Sequence, residues 1–333
     1  MSDAQHLRGV LQELILDFQE REFTKTTPRL LQLKALSGKA SVCIGVRRCG
    51  KSTLLLQRAQ ALLSEGVTRD RLVYLNLFDD RLHGLTGAQL GLIVEAYYLL
   101  YPHKKGGEVV YFFLDELQVV KGWEPFVDRL MRSERAEVYI TGSSAHLLSK
   151  EIATQMRGRS LSWELFPFSF REFLDHIDVE HQRPLSTKRR LKVEAAFERY
   201  YTEGGFPEVV GLDHRTRARG HQEYLNATLF HDLIERHDIS HPRAIVDLAH
   251  RLLNNVGSLY TLNKLTSYLR GLGHKVPKTS VADYLKWFED AFMIFTVFKY
   301  DASLSKANVN PKKVYCVDHA LVTSVSAGVL RNA

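Results

Sequence analysis

Residues 45–53, Gly-Val-Arg-Arg-Cys-Gly-Lys-Ser-Thr, combine residue types and spacing that suit the binding of a phosphate chain. Gly45, Gly50, Lys51 and Ser52 match the pattern Gly-x-x-x-x-Gly-Lys-Ser/Thr. The glycines let backbone N–H groups converge on phosphates at the start of a helix, where the helix dipole favours negative charge. Lys51 is predicted to reach the β- and γ-phosphates of ATP, and Ser52 to bind Mg²⁺. The predicted nucleotide-binding residues are Gly45, Val46, Arg47, Arg48, Cys49, Gly50, Lys51, Ser52 and Thr53.

The segments on either side of this loop have the patterns that a phosphate-binding loop requires. Residues 40–46 form a short apolar run typical of a buried strand. Residues 52–66 have helical periodicity and end at a glycine. The sequence therefore predicts strand, loop and helix in that order.

A second buried strand, residues 108–118, carries two adjacent carboxylates. Its continuous apolar run is typical of a strand covered on both faces of a parallel sheet, and it ends in Asp115 and Glu116. Asp115 is predicted to bind Mg²⁺ through water, and Glu116 to polarise the attacking water. Packing explains such a pair poorly, because an unpaired buried charge is costly. Nucleoside kinases do not need the second carboxylate, so the pair favours hydrolysis over phosphate transfer to a small acceptor.

Other predicted strands carry polar residues near their ends. Residues 137–144 end in hydroxyl side chains, and Ser143 or Ser144 is predicted to sense the γ-phosphate, with a polar turn as the alternative. A strand at residues 72–82 ends in an acidic pair without an assigned role. A strand from residue 160 follows Arg157 and Arg159. One of these arginines lies where a ring-forming ATPase offers an arginine to its neighbour, or it forms a surface salt bridge.

Composition limits the class of protein. A chain of 333 residues favours two domains or a domain with an appendage. No apolar run reaches the roughly 18 to 20 residues that a bilayer requires, so no membrane partner is expected. The N-terminus lacks the features of a secretory signal, which predicts a cytoplasmic protein. The three cysteines form no Cys-x-x-Cys pair, which argues against zinc.

Six motifs in one order carry a resemblance to a known group. They are GVRRCGKST, LVYLNLFDD, FLDELQ, YITGSS, RGRSLSWELFPFSFREFL and YYTEGGFPEVV. Together they resemble the prokaryotic AAA+-like ATPases of the AAA_14/DUF4143 group, whose archaeal branch is similar to the signal-transducing STAND ATPases. The resemblance implies an α/β fold: a P-loop NTPase of AAA+/ASCE-like type, with a parallel sheet core and a helical lid.

The resemblance also implies a contact from the lid. In the STAND class a Gly-x-Pro motif touches the nucleotide, and Gly205, Phe206 and Pro207 match it. Pro207 is therefore predicted to contact the adenine or ribose. Longer relatives continue into a domain that resembles a nuclease fold, whereas this sequence ends at Ala333 without an Asp…Glu-x-Lys constellation, so nuclease activity is not expected.

The C-terminal quarter is basic. Residues 242–333 carry 12 Lys and Arg against 6 Asp and Glu, a net charge of +6 within a total of +7. Two predicted helices, a glycine-containing turn, a third helix and two strands indicate a winged helix. Such modules bind DNA or proteins, and the local charge favours DNA. The predicted DNA contacts are Lys278, Thr279, Ser280 and Lys286 on the third helix, and Lys312 and Lys313 beside the wing.

These patterns predict an ATPase core at residues 1–170, a helical lid at 171–241 and a C-terminal winged helix at 242–333. The predicted function is Mg²⁺-dependent ATP hydrolysis coupled to DNA binding or remodelling, including branched DNA. The two arginines predict a homo-oligomer such as a ring. The alternative is a STAND-like switch that holds nucleotide and signals to a protein partner.

Overall fold

The computed structural model describes residues 3–142, 156, 158–300 and 311–329. Its internal contacts divide the chain into two compact units: residues 1–45 with 50–165, and residues 46–49 with 166–333. The predicted lid and winged-helix segments thus fall within the second unit, and their separation into two domains stays a prediction. Ser143, Ser144 and Arg157, predicted to act at the nucleotide, lie outside the described residues.

The first unit is built on a parallel sheet. Its helices and strands are α1 (Asp3–Glu20), β1 (Ala40–Ile44), α2 (Lys51–Ser64), β2 (Leu72–Asn76), α3 (Gly91–Leu100), β3 (Val110–Asp115), α4 (Glu124–Ser133), β4 (Ala136–Gly142) and β5 (Ser160–Glu164). The strand order is β2-β3-β4-β1-β5, and every neighbouring pair is parallel. This confirms the predicted α/β fold with its ASCE-like sheet, in which β4 separates the two strands that carry the predicted site.

The central strands are buried because their sequences are mostly apolar. Every residue of β1 and of β3 is buried. Phe113 of β3 and Tyr139 of β4 stack with their ring centroids 4.9 Å apart. Parallel strands covered on both faces require such continuous apolar runs. The carboxyl ends of the strands, which bear the polar residues, are thus supported by a buried core.

The strand predicted at residues 72–82 is shorter in the structure. Strand β2 ends at Asn76, whose side-chain Oδ1 accepts from the Phe78 N–H at 3.0 Å. Asp79 then caps a 3₁₀ turn at Asp80–Leu82 by accepting from the Arg81 N–H. Asn and Asp side chains compete with a sheet for backbone hydrogen bonds, which explains the early end of the strand.

The second unit combines helices with a small antiparallel sheet. Its elements are α5 (Phe170–His176), α6 (Thr187–Glu203), α7 (His214–Ala227), a π-helix (Thr228–Glu235), α8 (Pro242–Leu253), β6 (Leu259–Tyr260), α9 (Leu262–Gly271), α10 (Lys278–Asp290), β7 (Ile294–Val297), β8 (Lys312–Cys316) and α11 (His319–Val329). The sheet order is β6-β8-β7, with both pairs antiparallel. Helices α8, α9 and α10 followed by a hairpin are the elements that the winged-helix prediction requires, and the assignment stays a prediction.

One apolar core runs through much of the second unit. It joins Leu229 and Leu233 of the π-helix to Leu248 of α8 and to Val281 and Phe288 of α10. Because Val281 and Phe288 face this core, the polar side chains of α10 lie on its other side. In the part of the chain that is described, no helix is both long enough and apolar enough to span a bilayer.

Candidate nucleotide-binding site

The predicted phosphate-binding loop joins β1 to α2. Strand β1 ends at Ile44 and α2 begins at Lys51, so strand, loop and helix follow in the predicted order. Gly50 caps the helix with φ 97°, a backbone conformation that glycine adopts without strain. Arg48 also has a positive φ, 64°. The loop thus makes the sharp turn into the helix that a phosphate cradle needs.

Lys51 is the first residue of α2, and its side chain turns back over the loop. Its Nζ donates to the Gly45 carbonyl oxygen at 3.0 Å, and the residue is 5% exposed. Ser52 and Thr53 are half-buried beside it, and the first turn of α2 contains no acidic residue. The loop lysine and the first turn of α2, which has no acidic residue, are both suited to an anionic ligand.

Asp115 lies at the end of β3 and is 1% exposed. Both of its oxygens accept hydrogen bonds from the neighbouring strands. The Tyr74 hydroxyl on β2 donates to Oδ2 at 2.7 Å, and the Thr141 hydroxyl on β4 donates to Oδ1. Burial, together with the nearby Asp115 carboxylate, raises the pKa of Tyr74 and keeps its phenol protonated. Two fixed donors thus hold the carboxylate in one orientation.

Glu116 has a left-handed backbone, with φ 55° and ψ 37°. Its N–H donates to Thr141 Oγ1 at 3.0 Å, and its carboxylate accepts from the Gln118 side-chain amide. Such a conformation is uncommon outside glycine and persists where the surroundings fix it. Thr141 therefore contacts both residues of the acidic pair.

The donor set around Asp115 fits its predicted role toward Mg²⁺. Each carboxylate oxygen can accept more than one hydrogen bond, so water can bind Asp115 beside the Tyr74 and Thr141 hydroxyls. Mg²⁺ usually keeps several waters and takes one or two protein ligands besides phosphate oxygens. Among the described residues, no group of three or more His, Cys, Asp or Glu side chains could hold a metal ion. A site made by Ser52, phosphate oxygens and water would not require such a group.

Two arginines inside the loop each meet a carboxylate of the second unit, to which loop residues 46–49 belong. Arg47 forms a bidentate pair with Asp232 of the π-helix, in which Nε and Nη2 each donate at 2.7 Å. The Asp232 side chain is 9% exposed. Arg48 pairs with Glu208 at 3.0 Å, with both side chains at least half exposed. The loop backbone is thus anchored through two side chains of unequal burial.

The Gly-x-Pro motif forms a tight turn in the second unit. The Gly205 N–H donates to Asp318 Oδ2 at 2.6 Å, and Asp318 itself is 4% exposed. A Cβ on Gly205 would overlap the Phe168 carbonyl oxygen, and one on Gly204 would overlap the Asp318 carboxylate. Both positions therefore require glycine. Pro207 is half-buried after this turn, and its predicted contact with adenine or ribose stays a prediction.

Arg159 takes part in an ion pair within its own unit. Its guanidinium contacts the Asp128 carboxylate of α4, and the side chain is partly exposed. This is the surface salt bridge that sequence analysis left open as the alternative to a contact with a neighbouring subunit. Arg157 lies outside the described residues.

The predicted DNA contacts divide into two sets. Lys278, Lys286 and Lys312 line one cavity of the second unit. The lining of this cavity does not include Thr279, Ser280 or Lys313. Among these three, Thr279 and Lys313 are exposed and Ser280 is half-buried. The structure thus brings three of the six predicted residues together.

Several residues of the site were missed from sequence. Tyr74 and Thr141 each stand as a polar residue within an apolar strand, and that pattern could have marked them. Glu208 and Asp232 carry no such pattern, because their partners lie 160 and 185 residues away in the chain. The γ-phosphate-sensing role predicted for Ser143 or Ser144 falls outside the described residues, and Thr141 of β4 contacts the acidic pair.

The sheet order and the loop define a P-loop NTPase of the AAA+ type. The family model of an AAA domain, AAA_14, matches residues 37–174. A second model, of a domain of unknown function named DUF8612, matches residues 194–329. The group expected from sequence carries a different domain, DUF4143, in its C-terminal half. The chain belongs to the AAA_14 group of AAA+-like P-loop ATPases.

Two relatives are similar over most of this chain. An uncharacterized protein of Methanocaldococcus jannaschii, MJ1544, is 30% identical over 311 residues, which cover 93% of this chain and 67% of that protein. An uncharacterized protein of Haemophilus influenzae is 30% identical over 282 residues, covering 84% and 67%. The chain therefore spans about two-thirds of the length of each relative.

The fold is also similar to a solved structure. The Walker-type ATPase PABY2304 of Pyrococcus abyssi matches with a TM-score of 0.50 and 17% identity, covering 98% of this chain and 96% of that one. At that identity the likeness concerns the fold alone.

Proposed function

We propose that this protein binds ATP with Mg²⁺ and hydrolyses it. The observation that carries the proposal is the position of Asp115 and Glu116 at the carboxyl end of β3. Only β4 separates β3 from β1, the strand that leads to Lys51. In open α/β sheets, ligands bind at the carboxyl ends of the strands. The acidic pair and the loop lysine therefore share the edge where a nucleotide would lie.

The proposed roles follow from the contacts of each side chain. Lys51 would exchange its bond to the Gly45 carbonyl for the β- and γ-phosphates. Ser52 and, through water, Asp115 would hold Mg²⁺, which neutralises developing charge on the phosphates. Glu116 would orient and polarise the attacking water, with its position fixed by Thr141 and Gln118.

Glu116→Gln tests this assignment. Steady-state ATP turnover should fall by about 100-fold or more, because a lost general base typically costs 10²- to 10⁴-fold. ATP affinity, measured by titration with a fluorescent ATP analogue, should stay within about threefold. Glu124→Gln, at another half-buried glutamate of the first unit, is the matched control. Unchanged turnover in Glu116→Gln would refute the assignment.

We further propose that the second unit binds DNA and that ATP hydrolysis changes its affinity for the DNA. The support is the net charge of +6 in residues 242–333 and the three lysines that converge on one cavity. Steady-state hydrolysis should be measured with single-stranded, duplex and four-way-junction DNA. We expect one form of DNA to stimulate hydrolysis by the natural chain, and we expect no stimulation in Glu116→Gln. Equal rates with and without every DNA would contradict coupling.

The proposed homo-oligomer depends on Arg157 and Arg159. In a neighbouring subunit's site, an arginine can stabilise the transferring phosphate. For Arg159 this requires exchange of its Asp128 partner for the phosphate. Replacing both arginines with alanine should lower turnover about tenfold or more and leave ATP affinity unchanged. Full turnover in the double variant would rule out this role.

A nucleotide-holding switch that acts on a protein partner is the second candidate. The observation that favours it is the pairing of Arg47 and Arg48, inside the loop, with Asp232 and Glu208. A ligand in the loop would act on the π-helix through the Arg47–Asp232 pair, and on the segment after the Gly-x-Pro motif through the Arg48–Glu208 pair. A switch should retain nucleotide through purification and hydrolyse it slowly, with rates that do not respond to DNA. Repeated, DNA-stimulated turnover would exclude it.

A further inference from the structure

A cavity of about 470 Å³ opens in the second unit between the start of α9, the length of α10 and the small sheet. Three of the four charged residues of its lining are lysines. Lys278 and Lys286 come from α10, and Lys312 comes from β8. Three lysines from two separate elements thus line one space of a size typical of small-ligand sites.

These lysines have no anionic partner within the described part of the chain. None of the three takes part in an ion pair there. Lys312 instead places its Nζ 4.2 Å from the centroid of the Phe298 ring. Asn263, in the first turn of α9, adds an amide to the lining, and that turn contains no acidic residue. This part of the lining is therefore suited to a phosphate group.

The rest of the lining has a different chemistry. Tyr260 and Leu285 supply an aromatic and an aliphatic surface. Glu289 is the one acidic residue of the lining, and its carboxylate accepts from the Thr296 hydroxyl. Burial and the nearby Glu289 carboxylate raise the pKa of Tyr260 to about 12. Neither the apolar surfaces nor the carboxylate would contribute to the binding of a free phosphate.

We propose that this cavity binds one unpaired nucleotide of a DNA strand, an inference that rests on the proposed DNA role. The phosphate lies against the lysines, and the base packs on Tyr260 and Leu285, since stacking on aromatic side chains suits any base. Glu289 accepts a hydrogen bond from an exocyclic amino group, as carboxylates do from cytosine. A base within a duplex is paired and stacked, so only an unpaired or extruded nucleotide can enter.

The test compares DNA ends by fluorescence anisotropy with the full chain. Three versions of one duplex are used: blunt, with a single unpaired cytidine at the end, and with an abasic nucleotide in its place. The cytidine overhang should bind about tenfold or more tightly than the blunt duplex, and the abasic overhang should lose most of that gain. Equal affinity for all three would overturn the cavity proposal and leave the DNA role intact. Failure to bind any of them would overturn both.

Variants separate the cavity from general charge. Ala282→Trp fills the space from an exposed position, so it should abolish the preference for the overhang while blunt-duplex affinity changes less than twofold. Glu289→Gln should reduce discrimination between cytidine and thymidine overhangs by about threefold or more. Lys264→Ala removes an exposed lysine of α9 outside the lining and should leave the ratio of overhang to blunt affinity unchanged. A full overhang preference in Ala282→Trp would contradict the proposal.

Discussion

The acidic edge of the first unit and the lysine cavity of the second unit treat charge in opposite ways. Asp115 is 1% exposed, and a hydroxyl from each neighbouring strand holds its carboxylate. Lys278 and Lys286 are exposed, and neither forms an ion pair within the described residues. Preorganised dipoles serve a chemical step, because they need no rearrangement when charge develops. Solvated, unpaired cations serve attraction to an anionic polymer. The difference is the one expected between a site that performs chemistry and a site that attracts an anionic ligand, which are the roles proposed for these two.

The largest effect is expected from Asp115→Ala. Turnover should fall by about 100-fold or more, because the proposed water-mediated contact of Asp115 with Mg²⁺ is lost. The hydroxyls of half-buried Tyr74 and buried Thr141 also lose their acceptor, so the free energy of unfolding should fall by about 1–3 kcal/mol. Urea denaturation of the full chain measures this loss, and Tyr74→Phe, which removes only one donor, should cost about 1 kcal/mol. An unchanged unfolding free energy in Asp115→Ala would contradict the buried network.

An intermediate effect is expected from the two loop arginine pairs, which repeat the contrast between buried and exposed charge. Asp232→Asn weakens a bidentate pair in which the Asp232 side chain is 9% exposed. We expect the free energy of unfolding to fall by about 2 kcal/mol. This is less than the loss expected for a fully buried pair, because Arg47 is partly exposed. Glu208→Gln, at the solvated pair, should cost below about 1 kcal/mol. Urea denaturation of both variants tests the order, and equal losses would remove the distinction.

The smallest effect is expected from Lys286→Ala, which should leave stability within about 0.5 kcal/mol because the side chain is exposed. The salt dependence of DNA affinity should respond instead. If Lys286 neutralises one phosphate, the slope of log affinity against log salt should decrease in magnitude by about 1. Anisotropy titrations across a series of salt concentrations measure this slope. An unchanged slope would place Lys286 away from the strand.

Local patterns predicted the elements, whereas the partners across elements needed the structure. The glycine spacing placed the loop between β1 and α2, and the apolar run at 108–118 placed β3, because each depends on residues close in sequence. The same holds for α10 at Lys278–Asp290. The register that sets Thr141 beside Asp115 depends on pairing of strands 26 residues apart. Side chains that orient a buried carboxylate from a neighbouring strand leave only a weak trace in a single sequence.

The hydrogen bond from the Gly205 N–H to Asp318 also has a consequence for synthesis of the chain. The residues of the first unit, up to 165, leave the ribosome while Asp318 is still to be translated. Nascent domains fold as units, with the N-terminal one first. The Gly-x-Pro turn cannot gain its buried carboxylate until 113 further residues have been added. When residue 165 has been added, the sheet is complete, but Glu208 and Asp232, the partners of the loop arginines, are still to be translated. The nascent chain therefore acquires its parallel sheet before it acquires the contacts that anchor loop residues 46–49 within the second unit.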